Sequence, residues 1–150
     1  MKKTLGEVFD HLATLSKTAD KTAWLRLHDT TNLRYFLGLA HSSDVKWTLP
    51  DGAPPYTPDK APLGYSPSNL NRELRIMYLF IESNELNNLK PYRQEQLFQQ
   101  LLERLHSSEV DLLLAVKDKK FGAKYKCTKA VVDATFPGLL NNPFPVRLVR

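Results

Sequence analysis

The residues with the clearest chemical meaning are six lysines in one short stretch. They are Lys117, Lys119, Lys120, Lys124, Lys126 and Lys129, and the only acid among them is Asp118. These thirteen residues carry a net charge of +5, which equals the formal net charge of the whole chain. Clustered ammonium groups are too costly to bury together, so we expect them to face solvent or a polyanion. Phosphate backbones favour such clusters because each neutralised phosphate releases counterions.

Aromatic and small residues are interleaved with these lysines. Phe121, Gly122 and Tyr125 would allow a close approach of the backbone and apolar contact with a sugar or base. A helix beginning near Thr128 would add backbone N–H groups and a favourable dipole for a phosphate. Two interpretations of the lysine cluster stay open. It could bind phosphates, or it could only keep a loop solvated, as most charge runs do. If the turn binds DNA, the contacting residues are expected to be Lys117, Lys119, Lys120, Gly122, Lys124, Tyr125, Lys126 and Lys129.

No combination of residue types indicates catalysis. The chain has no G-x-S-x-G elbow, Walker loop or dinucleotide-binding glycine fingerprint. Glu82 and Glu85 form a carboxylate pair at helical spacing, which is common on solvated helix faces. We therefore expect a non-enzymatic protein with no catalytic residues.

Metal and redox chemistry also lack a framework in the sequence. His11, His28, His41 and His106 show no pairing at metal-ligand spacing, so surface or capping roles are expected for them. Cys127 is the single cysteine, which excludes an intramolecular disulfide and favours a reducing cytosol. Adjacent positive charge and a helix start could lower its pKa, but we interpret this thiol as incidental. No metal or cofactor is predicted.

The composition favours one soluble domain that positions these residues. A chain of 150 residues with 42% hydrophobic and 25% charged residues is sufficient for one sizeable core. Its net charge of +5 favours acidic partners, with nucleic acid first among them. Neither a signal-peptide run nor a membrane span is visible, so we expect a cytoplasmic protein without membrane contact.

Apolar residues recur at helical spacing through most of the chain. They predict an all-α, compact domain of about six to seven helices over residues 1–150. The helices are expected over about 4–17, from Asp20 past Leu27, around 33–40, from Ser66 or Ser68 to 84–88, from Pro91 to about His106, from Ser108 to before Gly122, and from Thr128 to Phe136. Expected caps include a Thr4–Glu7 capping box and a Ser108–Asp111 pair.

A proline-rich segment interrupts the helices. Six of the ten prolines fall between Pro50 and Pro67, and a helix cannot run through them. We expect residues of about 48–67 to form a long extended loop, here called the proline strap, which packs over the helices. The C-terminal tail, residues 141–150, is also expected to be extended.

The segment Leu112–Leu140 resembles the helical N-terminal DNA-binding domain of phage-type ATP-dependent DNA ligases. Asp118 and Gly122 match the D-x-x-x-G turn of that domain, and residues 136–139 match its closing aromatic-Pro-Gly-Leu. The resemblance implies a grip on duplex DNA across the minor groove through backbone and phosphate contacts. It would implicate Lys119, Lys120, Gly122 and Lys124. Because the K-x-D-G nucleophile motif of ligases is absent, ligase activity is not implied.

The full-length pattern also resembles a family of small, uncharacterised proteins carried by large tailed bacteriophages, the myoviruses. The matching strings are VKWTLPDGAPPYTPD, EQLFQQLLERLH and KDKKFG. This likeness implies a phage protein that acts in the host bacterial cytoplasm.

Two functional hypotheses follow from these observations. The leading one is a non-catalytic accessory protein of phage replication, repair or transcription that binds double-stranded DNA without sequence preference. The alternative is a protein-interaction module that acts on a phage or host replication or transcription protein, with the ligase-like fold kept but no DNA binding. In that case the proline strap would make the contacts through Pro54, Pro55 and Tyr56.

Overall fold

Helices form most of the structure, as the sequence predicts. The computed structural model describes residues 4–42, 45–49, 52, 56–57, 60, 62, 66–81 and 90–141. Within these ranges the chain has no strand, only an isolated antiparallel bridge between Trp47 and Ile81. None of the helices in these ranges combines the length and the apolar run needed to cross a membrane. The prediction of an all-α fold is confirmed.

Eight α-helices and two 3₁₀-helices lie within the described residues. The α-helices are α1 (Leu5–Leu12), α2 (Thr18–Leu27), α3 (Thr31–His41), α4 (Leu70–Glu73), α5 (Pro91–Leu102), α6 (Ser107–Lys117), α7 (Phe121–Lys124) and α8 (Lys129–Thr135). The 3₁₀-helices span Leu74–Phe80 and Leu139–Asn141.

Helix α1 begins as predicted but ends early. The hydroxyl of Thr4 accepts a hydrogen bond from the Glu7 N–H, and the Glu7 carboxylate accepts one from the Thr4 N–H, both at 3.2 Å. The helix ends at Leu12 instead of near 17. Just beyond it, the Thr14 hydroxyl donates to the His11 carbonyl at 2.6 Å. Hydroxyl side chains compete in this way with helical backbone bonding.

Helices α2 and α4 begin at residues other than those predicted. Helix α2 starts at Thr18, so Asp20 lies inside its first turn and does not cap it. Helix α4 is capped by Asn69, whose side-chain oxygen accepts from the Arg72 N–H at 2.9 Å. The predicted caps at Ser66 or Ser68 are therefore wrong. The predicted end of this helical segment, at 84–88, lies outside the described residues.

Helix α6 is capped by a histidine in place of the predicted serine pair. His106 is the N-cap, and its Nδ1 accepts from the Ser108 N–H at 3.1 Å. The same nitrogen lies 2.8 Å from the Ser108 hydroxyl. Because the cap lies two residues earlier than predicted, Asp111 is inside the helix and forms no capping pair with Ser108.

The segment Leu74–Phe80 forms a 3₁₀-helix where the sequence predicts continued α-helix. Its apolar residues Leu74, Met77 and Phe80 recur every three positions, and all three are fully buried. A 3₁₀-helix has three residues per turn, so this spacing places all three on one face.

Three phenylalanines from distant parts of the chain meet in the core. Phe9 of α1 lies 5.3 Å from Phe36 of α3 and 5.1 Å from Phe121 of α7, measured between ring centroids. The Phe36 and Phe121 rings are 5.8 Å apart. These contacts anchor the short helix α7 to the core, and α7 in turn positions the surrounding lysines.

The described residues of the proline strap contact the helices at several points. The Thr48 N–H donates to the Phe80 carbonyl at 2.9 Å. The Gly52 N–H donates to Asp118 at 3.1 Å, and the Thr57 N–H donates to Glu103 at 2.8 Å. Each described contact ties the strap to a different helical segment. The predicted C-terminal tail lies outside the described residues from 142 onward.

Candidate nucleic-acid interface

The lysine turn, residues 117–129, runs from the end of α6 through α7 to the start of α8. The Phe121 ring is 1% exposed and anchors the turn to the hydrophobic core. The structure brings most of the predicted cationic side chains to the surface. The exposed lysines of the turn are Lys119, Lys120, Lys124, Lys126 and Lys129.

Two residues after helix α6 ends, a lysine adopts a backbone conformation that favours glycine. Lys119 has a φ of 60°. Its N–H donates to the Val116 carbonyl at 3.2 Å, and the Lys120 N–H donates to the Ala115 carbonyl at 2.8 Å. This pair of bonds is a Schellman motif, whose left-handed position is usually occupied by glycine. A β-carbon at this position costs about 1–2 kcal/mol.

Two residues after helix α7 ends, Lys126 adopts a similar backbone conformation. Its φ is 55°, again in the left-handed region. Its carbonyl accepts a hydrogen bond of 2.8 Å from the ammonium of Lys21 in helix α2. The sequence did not indicate Lys21 as part of this surface, because it is 105 residues away from Lys126 in the chain. Only the packing of α2 against α8 brings the two together.

Lys117 differs from the other lysines of the turn because it is buried. Its side chain is 1% exposed, and its ammonium lies 2.6 Å from the Asp118 carboxylate. Burial raises the pKa of Asp118, but hydrogen bonds from Lys117 and the Gly52 N–H outweigh this effect and hold it below its ordinary value. The pair therefore joins the lysine turn to the proline strap, and the Lys117 ammonium is not accessible to a phosphate.

Tyr125 and Gly122 face the protein and not the solvent. Tyr125 is 4% exposed, and its ring centroid lies 5.6 Å from that of Phe121. A β-carbon at Gly122 would point to the His41 ring and the Cys127 carbonyl, at 3.5 Å from each. The expected contact of these two residues with a sugar or base is therefore not supported by their placement.

Cys127 is fully buried, and burial raises the pKa of its thiol to about 12. The nearby Lys21 lowers this pKa but does not offset the burial. The expectation that positive charge and a helix start could depress this pKa is therefore wrong. A buried, protonated thiol is inert, in keeping with the incidental role that we predicted.

Thr128 occupies the N-cap position of α8, as predicted, but its side chain makes no capping hydrogen bond. Helix α8 has only seven residues. A helix of about two turns has a small dipole, so its N-terminus is not a phosphate site by itself. Lys129, at its first position, is exposed and belongs to the basic surface.

Acidic residues modulate the charge at one end of the turn. Asp10 and Asp111 are exposed and stand within electrostatic range of each other. Burial raises the pKa of Asp10, Asp111 raises it further, and Lys124 lowers it. The positive charge of Lys124 is therefore partly offset by the Asp10 carboxylate.

The histidines serve structural roles within the described residues. His106 caps α6, and His41 Nε2 lies 2.9 Å from the Cys127 carbonyl oxygen. His11 and His28 flank the Trp24 ring, with centroid distances of 4.1 Å and 4.3 Å. In the part of the chain that the structure describes, no three potential metal ligands lie together.

The alternative interaction site is only partly described. Pro54 and Pro55 lie outside the described residues. Tyr56 is half-buried and packs against the hydrophobic core. This placement gives Tyr56 a role in holding the strap.

The structure thus defines an all-helical domain with an exposed lysine-rich turn. The chain belongs to a family of unknown function, DUF6433, which matches residues 8–123. The matched range includes the proline strap and the lysine turn as far as α7. Comparisons with curated proteins and with solved structures found no match. The likeness to the ligase domain and the phage origin remain predictions from the sequence.

Proposed function

We propose that this protein binds double-stranded DNA through its phosphates, without strong base preference. It would act as a non-catalytic accessory protein of phage replication, repair or transcription in the host cytoplasm. The supporting surface consists of exposed lysines of the lysine turn, together with Lys21 beside them.

One observation carries this proposal more than any other. Lys119 and Lys126 both adopt the left-handed conformation that favours glycine, and both expose their side chains. Backbone strain that a simple substitution would relieve is a reason to look for a role of the side chain. A phosphate contact supplies that role, since the only distinctive group of a lysine is its ammonium.

The character of the surface favours duplex over single-stranded DNA. Proteins that bind single strands without base preference stack the bases on exposed aromatic rings. Tyr125 and Phe121, the aromatic residues of the lysine turn, are both buried. The lysine turn itself thus exposes ammonium groups but no aromatic ring of its own, which suits the regular phosphates of a duplex.

Substitution of both left-handed lysines by glycine tests the proposal. The variant Lys119→Gly/Lys126→Gly relieves backbone strain and removes two cationic groups. We expect weaker binding to a 30-base-pair duplex and a salt slope smaller by about 2 in log K against log salt concentration, because each phosphate contact contributes about 0.9.

A control variant is Lys90→Ala, which removes an exposed lysine outside the turn and outside the cleft beside it. It should leave both the affinity and the salt slope close to the wild-type values. Equal binding by the double variant and the wild type would overturn the proposal. That result would favour the alternative hypothesis of a protein partner.

A further inference from the structure

A cleft of about 200 Å³ opens beside the lysine turn, where the ends of α3 and α6 meet. Its lining includes Ala40, His41, Ser42, Val45, Trp47 and Lys119. Lys119 belongs both to this cleft and to the lysine turn, so the cleft is continuous with the basic surface. Pockets for drug-sized ligands measure about 300–1,000 Å³, and this cleft therefore suits something smaller, such as one planar ring.

The lining of the cleft combines an aromatic ring, an aliphatic wall and a cation. Trp47, which is half-buried, supplies an aromatic ring, and Val45 supplies an aliphatic wall. Base stacking on an aromatic ring is tolerant of base identity because every base has a π-face. Lys119 adds an ammonium group suited to one phosphate.

His41 contributes a neutral polar group to the cleft. Its Nε2 is engaged by the Cys127 carbonyl oxygen at 2.9 Å, which fixes the ring. Burial lowers the pKa of His41, and Lys129 lowers it further, against the opposing effects of the Cys127 carbonyl and Asp133. The cation that lines the cleft is thus Lys119, which matches a single phosphate better than a polyphosphate.

We propose that this cleft receives one nucleotide, with its base against the Trp47 indole and its phosphate on the Lys119 ammonium. The inference deepens the proposed function and rests on it: DNA held on the lysine turn would place one unpaired nucleotide in the cleft. The protein would then prefer a duplex that contains an unpaired nucleotide to a fully paired one.

Tryptophan fluorescence tests the cleft without any duplex. The wild type is titrated with dAMP, deoxyadenosine and inorganic phosphate. The same titrations are made on Trp47→Phe and on Trp24→Phe. Trp24, which the second variant removes, lies outside the cleft, and its Nε1 donates to the Val8 carbonyl at 2.9 Å. The second variant therefore keeps the Trp47 ring as its only tryptophan. We expect saturable quenching by dAMP in the wild type and Trp24→Phe, weaker quenching by deoxyadenosine, and none by phosphate.

Two results of this titration would overturn the inference. One is the absence of saturable quenching by dAMP at millimolar concentrations. The other is quenching that persists in Trp47→Phe, since the bound base would then lie elsewhere. Circular dichroism of each variant establishes that the helical fold is retained.

A second experiment separates the cleft from the proposed function. The variant Ala40→Phe fills the cleft from α3 and leaves the lysine turn intact. We expect the wild type to bind a duplex with one unpaired adenosine several-fold more tightly than the paired duplex, and Ala40→Phe to bind both equally. Equal binding of both duplexes by the wild type overturns the cleft inference and leaves the proposed function standing. Binding of neither duplex overturns the proposed function, while the dAMP titration still decides the cleft.

Discussion

Glu109 is a carboxyl group buried between helices α6 and α4. It is 1% exposed, and its carboxylate accepts a hydrogen bond of 3.0 Å from the Leu70 N–H. Burial raises the pKa of Glu109 to about 7, although the hydrogen bond from Leu70 opposes this, and the nearby Glu7 raises the pKa further. The folded protein therefore binds a proton here at a pH where the unfolded chain does not.

This pKa predicts how stability depends on pH. Between about pH 4.5 and 7 the folded state holds more protons than the unfolded state, so stability falls as the pH rises. The pKa of Glu109 rises from 4.5 to about 7 on folding, and at about 1.4 kcal/mol per pKa unit the loss amounts to about 3 kcal/mol. The substitution Glu109→Gln keeps an acceptor for Leu70 and should remove this slope.

Urea unfolding of the wild type and Glu109→Gln at pH 5, 6, 7 and 8 measures the effect. The difference between the two proteins isolates Glu109, because the lowered pKa of His41 is common to both. As the pH increases, the free energy of unfolding should fall in the wild type but not in the variant. We therefore expect the variant-minus-wild-type difference to become more positive. A constant difference across this range would contradict the account.

Lys117 is a charged residue that is buried, so its loss should affect the stability of the protein and not its DNA binding. The substitution Lys117→Met leaves Asp118 without its ion-pair partner but still bonded to the Gly52 N–H. Asp118 retains 15% side-chain exposure, so we expect a loss of about 2 kcal/mol, below the ~3–5 kcal/mol for a fully buried pair. DNA affinity, measured by anisotropy, should not change in Lys117→Met/Asp118→Asn, because this variant removes the buried ammonium without leaving an uncompensated charge on the surface. A loss of affinity as large as that of Lys120→Met would contradict this assignment.

At the scale of elements, the sequence predicts which segments are helical better than where each helix begins. The Thr4–Glu7 capping box is readable because both partners lie within one turn. The caps at Asn69 and His106 are not, since several polar residues stand near each start and the fold selects the one that reaches the free N–H groups. The sequence also does not predict that Leu74–Phe80 is a 3₁₀-helix. Its apolar residues fit the spacing of an α-helix as well as that of a 3₁₀-helix.

The helix ends of the lysine turn lead to a prediction about stability. Glycine at position 119 or 126 adopts a positive φ without the steric cost of a β-carbon. We therefore expect each of Lys119→Gly and Lys126→Gly to stabilise the protein by up to about 1 kcal/mol. Thermal unfolding followed by circular dichroism measures this. A lower melting temperature in both variants would show that the lysine side chains stabilise the fold, and would remove the reason to assign them a binding role.

At the scale of the whole molecule, the sequence locates the basic surface but does not show which lysines belong to it. Charge density alone identified the lysine turn, since it concentrates the net charge of the chain in thirteen residues. Charge density does not distinguish Lys117, which faces inward, from Lys119 and Lys120, which face outward. Nor does it identify Lys21, whose position beside Lys126 depends on tertiary packing.

The central claim is that the exposed lysines bind the phosphates of a duplex. The most direct test is a titration of the protein against a fluorescent 30-base-pair duplex by anisotropy at several salt concentrations. If the five exposed lysines of the turn each contact a phosphate, log K should fall with log salt concentration with a slope of about −4.5. The same affinity should be found for duplexes of unrelated sequence. No binding at low salt, or a slope near zero, would contradict the account and show that the lysine turn is a solvated surface.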